Sequence, residues 1–380
     1  MRNLADTLSR LKHRASGAHP ASSRLEQVAI VGPNPGGLKA HQHVPTHLDH
    51  RPALVVVLHG CTQTAAAYDA GSGWSSLADR HGFVVLYPEQ QPANNPGRCF
   101  NWYARSDVER GRGEAASIRS AIETVVLQHD IDRSRIFVTG LSAGGAMATA
   151  MLATYPEIFA GGAVIAGLPY GSAASVPEAF DRMRGHGLAG AAASTAAVLT
   201  ASGHAGPWPP LSIWHGDADQ TVAAVNADAL VAQWVGVHDL QARPDEVRHV
   251  AGHIHRLWRG AGGEVVVEDY RIAGMGHGVP IDTHRDQPCG AAGPYFLEAG
   301  LSASRTLVTR WKLAKPDGTD QPPSPEAIER EPRKHETAAH DGGSWEMTPS
   351  VTQVETVTDP AAGSIQGVIE DALRRAGLMR

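Results

Sequence analysis

Cysteine is scarce in this sequence: among 380 residues it occurs only as Cys61, Cys99 and Cys289. Three cysteines are too few for a scaffold held by disulfides, and their spacing does not match a zinc site, so no bound metal is predicted. Cys61 and Cys99 each follow a predicted strand, in loops that should converge above a parallel sheet. A bridge between them is therefore one reading, but a reducing cytoplasm would oppose it, and the sequence leaves both states open.

The sequence also has no excess of basic residues and no long apolar segments. Its formal net charge is -6, its pI is near 6.4, and no long run of like charges occurs. Nucleic acid is therefore not an expected partner. No segment approaches the roughly 18 apolar residues that a membrane-spanning helix needs. Residues 1–14 lack the apolar core of a secretory signal, so we predict a cytoplasmic protein, with secretion as the alternative.

Composition divides the chain into four parts. We predict an N-terminal helical arm and linker at 1–23, a large domain at 24–313, a disordered linker at 314–362 and a C-terminal amphipathic helix at 363–380. The second linker is rich in Pro, Glu, Thr and Asp and carries too little apolar surface to fold. With 42% hydrophobic residues overall, the chain can bury a full core in the large domain.

Unbroken apolar runs alternate with helical patterns along the large domain. Strands are predicted at 54–58, 83–87, 136–138, 163–166, 211–215 and 265–270, and helices at 74–81, 114–128 and 143–155. Continuous apolar runs are typical of strands buried on both faces. The alternation predicts an α/β fold with a doubly wound, mostly parallel sheet and helices on both faces. Residues 27–32 and 38–44 indicate an antiparallel edge hairpin, and 172–202 a small helical insert that partly caps the site.

The pentapeptide Gly140-Leu141-Ser142-Ala143-Gly144 stands between a predicted strand and a helix of small residues. This order is typical of a sharp elbow that holds a serine in a strained backbone with positive φ. Gly140 and Gly144 would keep side chains out of the tight crossing of strand and helix. Ser142 is therefore the predicted nucleophile, and the alternative is an ordinary serine in a surface turn.

A serine nucleophile needs an imidazole to take its proton and a carboxylate to orient that imidazole. On such an elbow the chain order is Ser, then Asp or Glu, then His. The loop after the strand at 211–215 carries two aspartates. Asp219 is the predicted acid and Asp217 is its rival, although either is also suited to cap the following helix.

A glycine-rich turn after the strand at 265–270 carries the predicted base. Glycines on both sides of His277 leave its imidazole exposed and its backbone free to bend toward the nucleophile. His284 is the nearest competitor for this role. The histidines that we expect on the solvated surface are His238, His253 and His255.

Acyl transfer passes through a tetrahedral oxyanion, which needs preplaced N–H donors about 3 Å away. The predicted donors are the backbone N–H groups of Ala143, directly after the serine, and of Cys61, in the loop after the strand at 54–58. His59 is predicted to order that loop and to contact substrate. The alternative is that His59 and Gly60 form only a tight turn.

Tryptophans in predicted loops supply candidate walls for the site. Trp102 follows the segment Cys99-Phe100-Asn101, and Trp208 stands between two prolines. Aromatic walls suit apolar acyl chains or rings, although tryptophan is more often a core residue. Both tryptophans are predicted to line the site.

Several motifs occur together in one order along residues 24–311. They are His59-Gly60-Cys61-Thr62-Gln63-Thr64, Gly73-Trp74, Tyr87-Pro88-Glu89-Gln90, Arg98-Cys99-Phe100-Asn101-Trp102, Gly113-Glu114-Ala115-Ala116-Ser117-Ile118, Gly140-Leu141-Ser142-Ala143-Gly144-Gly145-Ala146-Met147 and Ala166-Gly167-Leu168-Pro169-Tyr170-Gly171. Together they resemble the polyhydroxybutyrate depolymerase family of esterases, which also contains feruloyl esterases. The resemblance implies an α/β-hydrolase fold, serine-dependent ester hydrolysis without a cofactor, and the roles assigned above to the three triad residues and to Cys61.

Secreted polymer depolymerases of this family carry a signal peptide and a polymer-binding domain, and neither is found in this sequence. The predicted function is therefore hydrolysis, through an acyl-enzyme, of short hydroxyalkanoate oligomers, short-chain acyl esters or phenolic esters of the feruloyl type. A peptidase of the same fold is the first alternative, because the same triad cleaves amides. The second is a non-catalytic protein that binds hydrophobic surfaces or granules and retains an inert triad.

Overall fold

A ten-stranded sheet organises residues 24–284 and 289–315, the part of the chain that this computed structural model describes. Its strands are β1 (Glu26–Val28), β2 (Lys39–His43), β3 (Leu54–Leu58), β4 (Val84–Glu89), β5 (Ile136–Leu141), β6 (Gly161–Ile165), β7 (Leu211–Gly216), β8 (Glu246–Val250), β9 (His253–Arg259) and β10 (Val265–Ile272). Their order across the sheet is β1-β2-β4-β3-β5-β6-β7-β10-β9-β8. The six central strands run parallel, and antiparallel strands flank them at both edges. A separate parallel pair is formed by β11 (Val279–Ile281) and β12 (Phe296–Glu298).

Helices cover both faces of this sheet. In the described residues they are α1 (Ala65–Ser72), α2 (Trp74–His81), α3 (Arg105–Val108), α4 (Gly113–His129), α5 (Ala143–Thr154), α6 (Val176–Met183), α7 (Ala191–Leu199), α8 (Val225–Val237) and α9 (Ala303–Arg310). The helices predicted at 74–81, 114–128 and 143–155 agree with α2, α4 and α5 to within one residue at each end. The predicted α/β class is therefore confirmed.

Alternate side chains of β3 belong to two different cores. Leu54 and Val56 pack in the core that α4, α5 and α8 share, whereas Val55 and Val57 pack in the core that α1, α2 and α9 share. All four side chains are fully buried. Burial of one such side chain contributes about 1.5–3 kcal/mol, so a central strand stabilises both layers at once. This explains the continuous apolar runs in the sequence.

The two sheet edges differ in how well the sequence predicts them. The hairpin of β1 and β2 matches the predicted antiparallel pair. At the other edge, β9 pairs antiparallel with both β8 and β10, and the sequence pattern does not predict this hairpin. Charged residues alternate with the others along β8, and such a segment has no continuous apolar run.

The histidines assigned to the solvated surface are all at least partly buried. His253 is 8% exposed, and its Nε2 lies 2.8 Å from the Ala299 carbonyl oxygen. His255 is 5% exposed, and its Nε2 lies 3.1 Å from the Glu268 carboxylate. His238 is half-buried, and burial lowers its pKa to about 4. The surface prediction is wrong for His253 and His255, because each is buried with one ring nitrogen next to a polar group on a neighbouring segment.

The predicted helical insert lies between β6 and β7 and contains α6 and α7. Nε of Arg182 donates to the Ser172 carbonyl oxygen at 2.9 Å, and Nδ2 of Asn226 donates to the Arg182 carbonyl oxygen at 2.9 Å. The Ala223 N–H donates to the Met183 carbonyl oxygen at 2.7 Å. The carboxyl end of α6 is therefore fixed to the segment that follows β7.

The predicted arm at 1–23, the linker at 314–362 beyond its first two residues, and the C-terminal helix at 363–380 lie outside the described residues. The domain boundaries therefore stay predictions. Among the helices of 24–284 and 289–315, none combines the length and the apolar character that crossing a bilayer requires.

Candidate active site

Ser142 stands at the sharp turn between β5 and α5. Its backbone has φ 57° and ψ -119°, the positive-φ geometry that the motif predicts. A Cβ on Gly140 would lie 2.3 Å from the Gly144 carbonyl oxygen, and one on Gly144 would lie 2.2 Å from that of Leu58. No side chain fits at these distances, so both glycines are required for the crossing of strand and helix. The turn holds the Ser142 side chain at the carboxyl end of the sheet.

Asp219 and His277 lie side by side at the same edge of the sheet. Asp219 follows β7 and His277 follows β10, and these two strands are parallel neighbours. Nδ1 of His277 lies 2.7 Å from Oδ2 of Asp219. The other carboxylate oxygen accepts hydrogen bonds from the N–H groups of Thr221 at 2.8 Å and Val222 at 2.9 Å. The loop of Asp219 therefore orients the carboxylate toward the imidazole.

Asp217, the alternative acid, and His284, the alternative base, take no part in the contact between Asp219 and His277. Oδ1 of Asp217 accepts a hydrogen bond from the Gly274 N–H at 2.7 Å. In the described structure, Asp217 forms no ion pair with His277. Neither aspartate caps α8 by a side-chain hydrogen bond. His284 is exposed. Asp219 rather than Asp217 is therefore the aspartate that contacts His277.

A second histidine, which sequence reasoning does not identify, contacts Asp219. Nε2 of His215 lies 2.8 Å from the Val222 carbonyl oxygen and 3.4 Å from Oδ2 of Asp219. Burial favours the neutral form of the Asp219 carboxyl and therefore raises its pKa. Hydrogen bonds from His215 and His277 favour the ionised form more strongly, and they hold the pKa of Asp219 well below its usual range. The only sequence signal for His215 is its place at the end of β7, four residues before the acid. Across the described ranges, no group of three or more His, Cys, Asp or Glu side chains is placed to hold a metal ion.

Val222 connects the cleft of the nucleophile to the acid–base pair. The side chain of Val222 lines this cleft together with Ser142, and the N–H of Val222 holds Asp219. Both Ser142 and His277 are described, and no hydrogen bond joins their side chains. The proton relay from Ser142 to His277 therefore stays a prediction.

Two backbone N–H groups are available next to Ser142. Cys61 and Ala143 line the cleft with the serine. In the part of the chain that the structure describes, neither amide donates a hydrogen bond to another protein group. Gly144 lies against the Leu58 carbonyl oxygen, and this approach brings the segment after β3 beside the start of α5. Both amides therefore suit the stabilisation of a developing oxyanion.

A disulfide joins Cys61 to Cys99, which resolves the two states that the sequence leaves open. The bridge connects the loop after β3 to the loop that carries Trp102. Both bridged cysteines line the cleft, so the disulfide forms part of its wall. Cys289 is buried and unbridged.

The structure brings one of the two predicted tryptophans to the cleft. Trp102 lines it and packs edge-on against Tyr103. Trp208 is not among the residues that line it. Instead, Trp208 packs against the core of α4, α5 and α8 and edge-on against His204. Its predicted place at the site is wrong because the loop between α7 and β7 folds onto that core.

His59 does not line the cleft. It is 1% exposed, its Nδ1 lies 2.7 Å from the Gly60 carbonyl oxygen, and its Nε2 accepts a hydrogen bond from the Gln90 N–H at 3.1 Å. Burial lowers the pKa of His59, so the ring is neutral. His59 orders the loop as predicted, but its predicted contact with substrate is wrong because both ring nitrogens are already used.

Glu114 is a buried carboxyl for which the sequence suggests no role. It accepts hydrogen bonds from the N–H of Asn101 at 2.8 Å, from Nδ2 of Asn101 at 2.7 Å, and from Nε2 of Gln90. These bonds hold the segment between Cys99 and Trp102, which forms one wall of the cleft. Burial raises the pKa of Glu114 to about 8 against the opposing effect of these donors.

Both the sequence and the fold of this chain are similar to those of known proteins. A family model described as esterase PHB depolymerase matches residues 40–259. Poly(3-hydroxyalkanoate) depolymerase C of Paucimonas lemoignei is 47% identical over 283 residues, which are 74% of this chain and 68% of that protein. This chain belongs to the PHB depolymerase family of esterases. It is a carboxylic ester hydrolase, as its motifs predict.

Other esterases are also similar to this family member. Acetylxylan esterase A of Emericella nidulans is 34% identical over 278 residues, which are 70% of this chain and 89% of that protein. The solved structure of acetyl xylan esterase from Aspergillus awamori matches 76% of this chain and 99% of its own chain, with a TM-score of 0.65 and 24% identity. This second likeness shows that the fold is that of an α/β-hydrolase.

Thiol titration of the unfolded chain should detect one thiol without reductant and three after reduction, because only Cys289 is unbridged. The Cys289→Ser variant is the matched control, in which no thiol should react before reduction and two after it. Three reactive thiols in the wild-type chain under both conditions would contradict the bridge.

The stability of the folded protein should carry a pH-dependent contribution from Glu114. Its pKa of about 8 lies above the ordinary 4.5, so the unfolded chain releases this proton at lower pH than the folded protein does. Stability therefore falls as the pH rises through this range, by about 1.4 kcal/mol per pH unit, and the fall ends above pH 8. Glu114→Gln should remove this contribution, measured by urea unfolding between pH 6 and pH 9.

Glu123→Gln, on the same helix, is the control for this measurement. The hydrogen bond from Arg133 lowers the pKa of Glu123, so this carboxyl is ionised in both states throughout the tested range. Its substitution should leave the pH dependence of stability unchanged. If the curves of the wild type and of Glu114→Gln ran parallel, the raised pKa would be refuted.

Proposed function

We propose that this esterase hydrolyses short acyl esters through a covalent acyl-enzyme on Ser142. His277 is the general base, Asp219 orients it, and the N–H groups of Cys61 and Ala143 bind the oxyanion. The observation that carries this proposal is the 2.7 Å contact between Nδ1 of His277 and Asp219, at the sheet edge where the strained elbow presents the serine.

Each proton in this cycle has a defined donor and acceptor. Asp219 accepts from Nδ1–H of His277, which leaves Nε2 free to take the hydroxyl proton of Ser142 as Oγ attacks the ester carbonyl. The same proton then passes to the leaving alcohol. Water attacks the acyl-enzyme next, giving a proton to Nε2 that returns to Oγ when the carboxylic acid departs. Hydrogen bonds of this kind commonly tighten only when substrate is bound, so their absence between Ser142 and His277 is compatible with the relay.

Relatives support the choice of substrate class. The names of two relatives specify poly(3-hydroxyalkanoate) and acetylxylan, and both of these substrates contain esters of aliphatic acids. We extend to this chain only that shared feature. Within the classes predicted from the sequence, it favours hydroxyalkanoate oligomers and short-chain acyl esters over feruloyl-type esters.

The disulfide indicates the type of cellular compartment in which the enzyme works. A bridge between Cys61 and Cys99 forms and persists in oxidising compartments, whereas the cytoplasm keeps such thiols reduced. This supports the secreted alternative over the cytoplasmic location that the sequence favours. Secretion is therefore part of the proposal.

Ser142→Ala should lose about 10⁴-fold or more of kcat on p-nitrophenyl butyrate, because the substitution removes the Oγ that forms the acyl-enzyme. The variant should fold normally by circular dichroism. Ser106→Ala, which changes an exposed serine, is the control and should keep wild-type activity. A Ser142→Ala enzyme with substantial activity would exclude Ser142 as the nucleophile, and failure of a fluorophosphonate to label wild-type Ser142 would favour a non-catalytic protein.

A matched pair of substitutions tests the choice of acid. Asp219→Asn should lower kcat by about 10⁴-fold, because an amide holds the imidazole in the wrong tautomer. Asp217→Asn keeps an oxygen acceptor for the Gly274 N–H and should remain close to wild type. The reverse result, with Asp217→Asn inactive and Asp219→Asn active, would assign the acid to position 217.

A further inference from the structure

The cleft that Ser142 lines is a small cavity on the side of the serine that faces α6. It has a volume of about 40 Å³ and is bounded by the Cys61–Cys99 bridge, the start of α5 and the inner face of α6. Trp102, Leu168 and Val222 form its buried walls. Phe180 and Met183, both half-buried, come from α6.

The lining of this cavity is almost wholly apolar. The polar side chains at its margin, Asn95 and Tyr103, both bond to Oδ1 of Asn101, at 2.9 Å and 3.2 Å respectively. Oδ1 of Asn95 also accepts a hydrogen bond from the Gly97 N–H at 3.0 Å. The chemistry of the cavity therefore suits a hydrocarbon tail.

The position of the imidazole decides which part of an ester enters the cavity. Cys61 and Ala143, the proposed oxyanion donors, line it together with Ser142, whereas His277 is not among its lining residues. The leaving alcohol must lie next to the imidazole that protonates it. The tail of the acyl group therefore points the other way, into the cavity.

The volume limits the length of that tail. One water-sized group needs about 10–15 Å³ of such space, so the cavity holds about three non-hydrogen atoms. A butyryl group has three carbons beyond its carbonyl, whereas a hexanoyl group has five. The longer tail has to displace a side chain, and the hydrogen bonds of Arg182 and Asn226 hold α6 in place.

We propose that Phe180 and Met183 set the upper length of the acyl group, at about four carbons, and so determine the specificity of this esterase. The inference rests on the proposed function, because it needs Ser142 as nucleophile. It adds two residues of the helical insert to the substrate-binding site, and both act by bounding the cavity on the side of α6.

The test compares p-nitrophenyl acetate, butyrate, hexanoate and octanoate, which share one leaving group. Wild-type kcat/KM should fall sharply between butyrate and hexanoate. Phe180→Ala and Met183→Ala should each raise the ratio of hexanoate to acetate by about tenfold or more, since one methylene in a closed pocket is worth roughly that factor. Asp181→Ala, which changes an exposed residue of the same helix, should leave the ratio unchanged.

A substitution that narrows the cavity is an independent test, because it adds side-chain volume where the alanine substitutions remove it. Ala179 is 5% exposed and lines the same cavity, so Ala179→Val should lower the ratio of butyrate to acetate. A parallel series of acetate esters with different alcohols should show the same preferences in the wild type and in the α6 variants.

Two results would overturn the inference. One is an unchanged hexanoate-to-acetate ratio in folded Phe180→Ala and Met183→Ala enzymes. The other is a change confined to the alcohol series, which would assign the cavity to the leaving group. Failure of the proposed function is distinguishable from both, because it would appear as retained activity in Ser142→Ala.

Discussion

The close approach of α5 to β3 is the constraint on which the site depends. Gly144 lies against the Leu58 carbonyl oxygen at a distance that admits no Cβ, so the loop after β3 and the start of α5 are forced together. That contact sets Cys61 beside Ser142 and Ala143. A strained backbone such as that of Ser142 costs on the order of 1–3 kcal/mol and persists only where the surrounding packing requires it. The buried helix and strand on either side supply that packing.

A second set of interactions supports the wall of the cleft that faces this elbow. The disulfide connects the loop after β3 to the segment that carries Trp102. Glu114 holds the same segment by accepting hydrogen bonds from Asn101. One support is covalent and the other is polar, buried and sensitive to protonation. Both act on a loop that has no regular secondary structure to hold it, and the hydrogen bonds that Glu114 accepts offset part of the cost of burying its carboxyl.

Sequence patterns succeeded where a local signal exists. Continuous apolar runs located the central strands, helical periodicity located α2, α4 and α5, and the glycines of the elbow located Ser142. They failed for β9, where His253 and His255 alternate with other residues and have their partners on other elements, at Ala299 and Glu268. Trp208 shows the same limit, because an aromatic residue in a loop suits a core or a cleft equally well.

The amino-acid sequence by itself determined the order of the chemical groups, the strand-to-helix turn at the serine and the need for glycine on both sides of it. These features follow from local backbone sterics and from the periodicity of apolar residues. Only the tertiary structure decided that Asp219 rather than Asp217 meets His277, that Trp102 but not Trp208 reaches the cleft, and how much space remains beside the nucleophile. Those outcomes depend on the paths of loops between strands that are far apart in the chain, and no local preference fixes such paths.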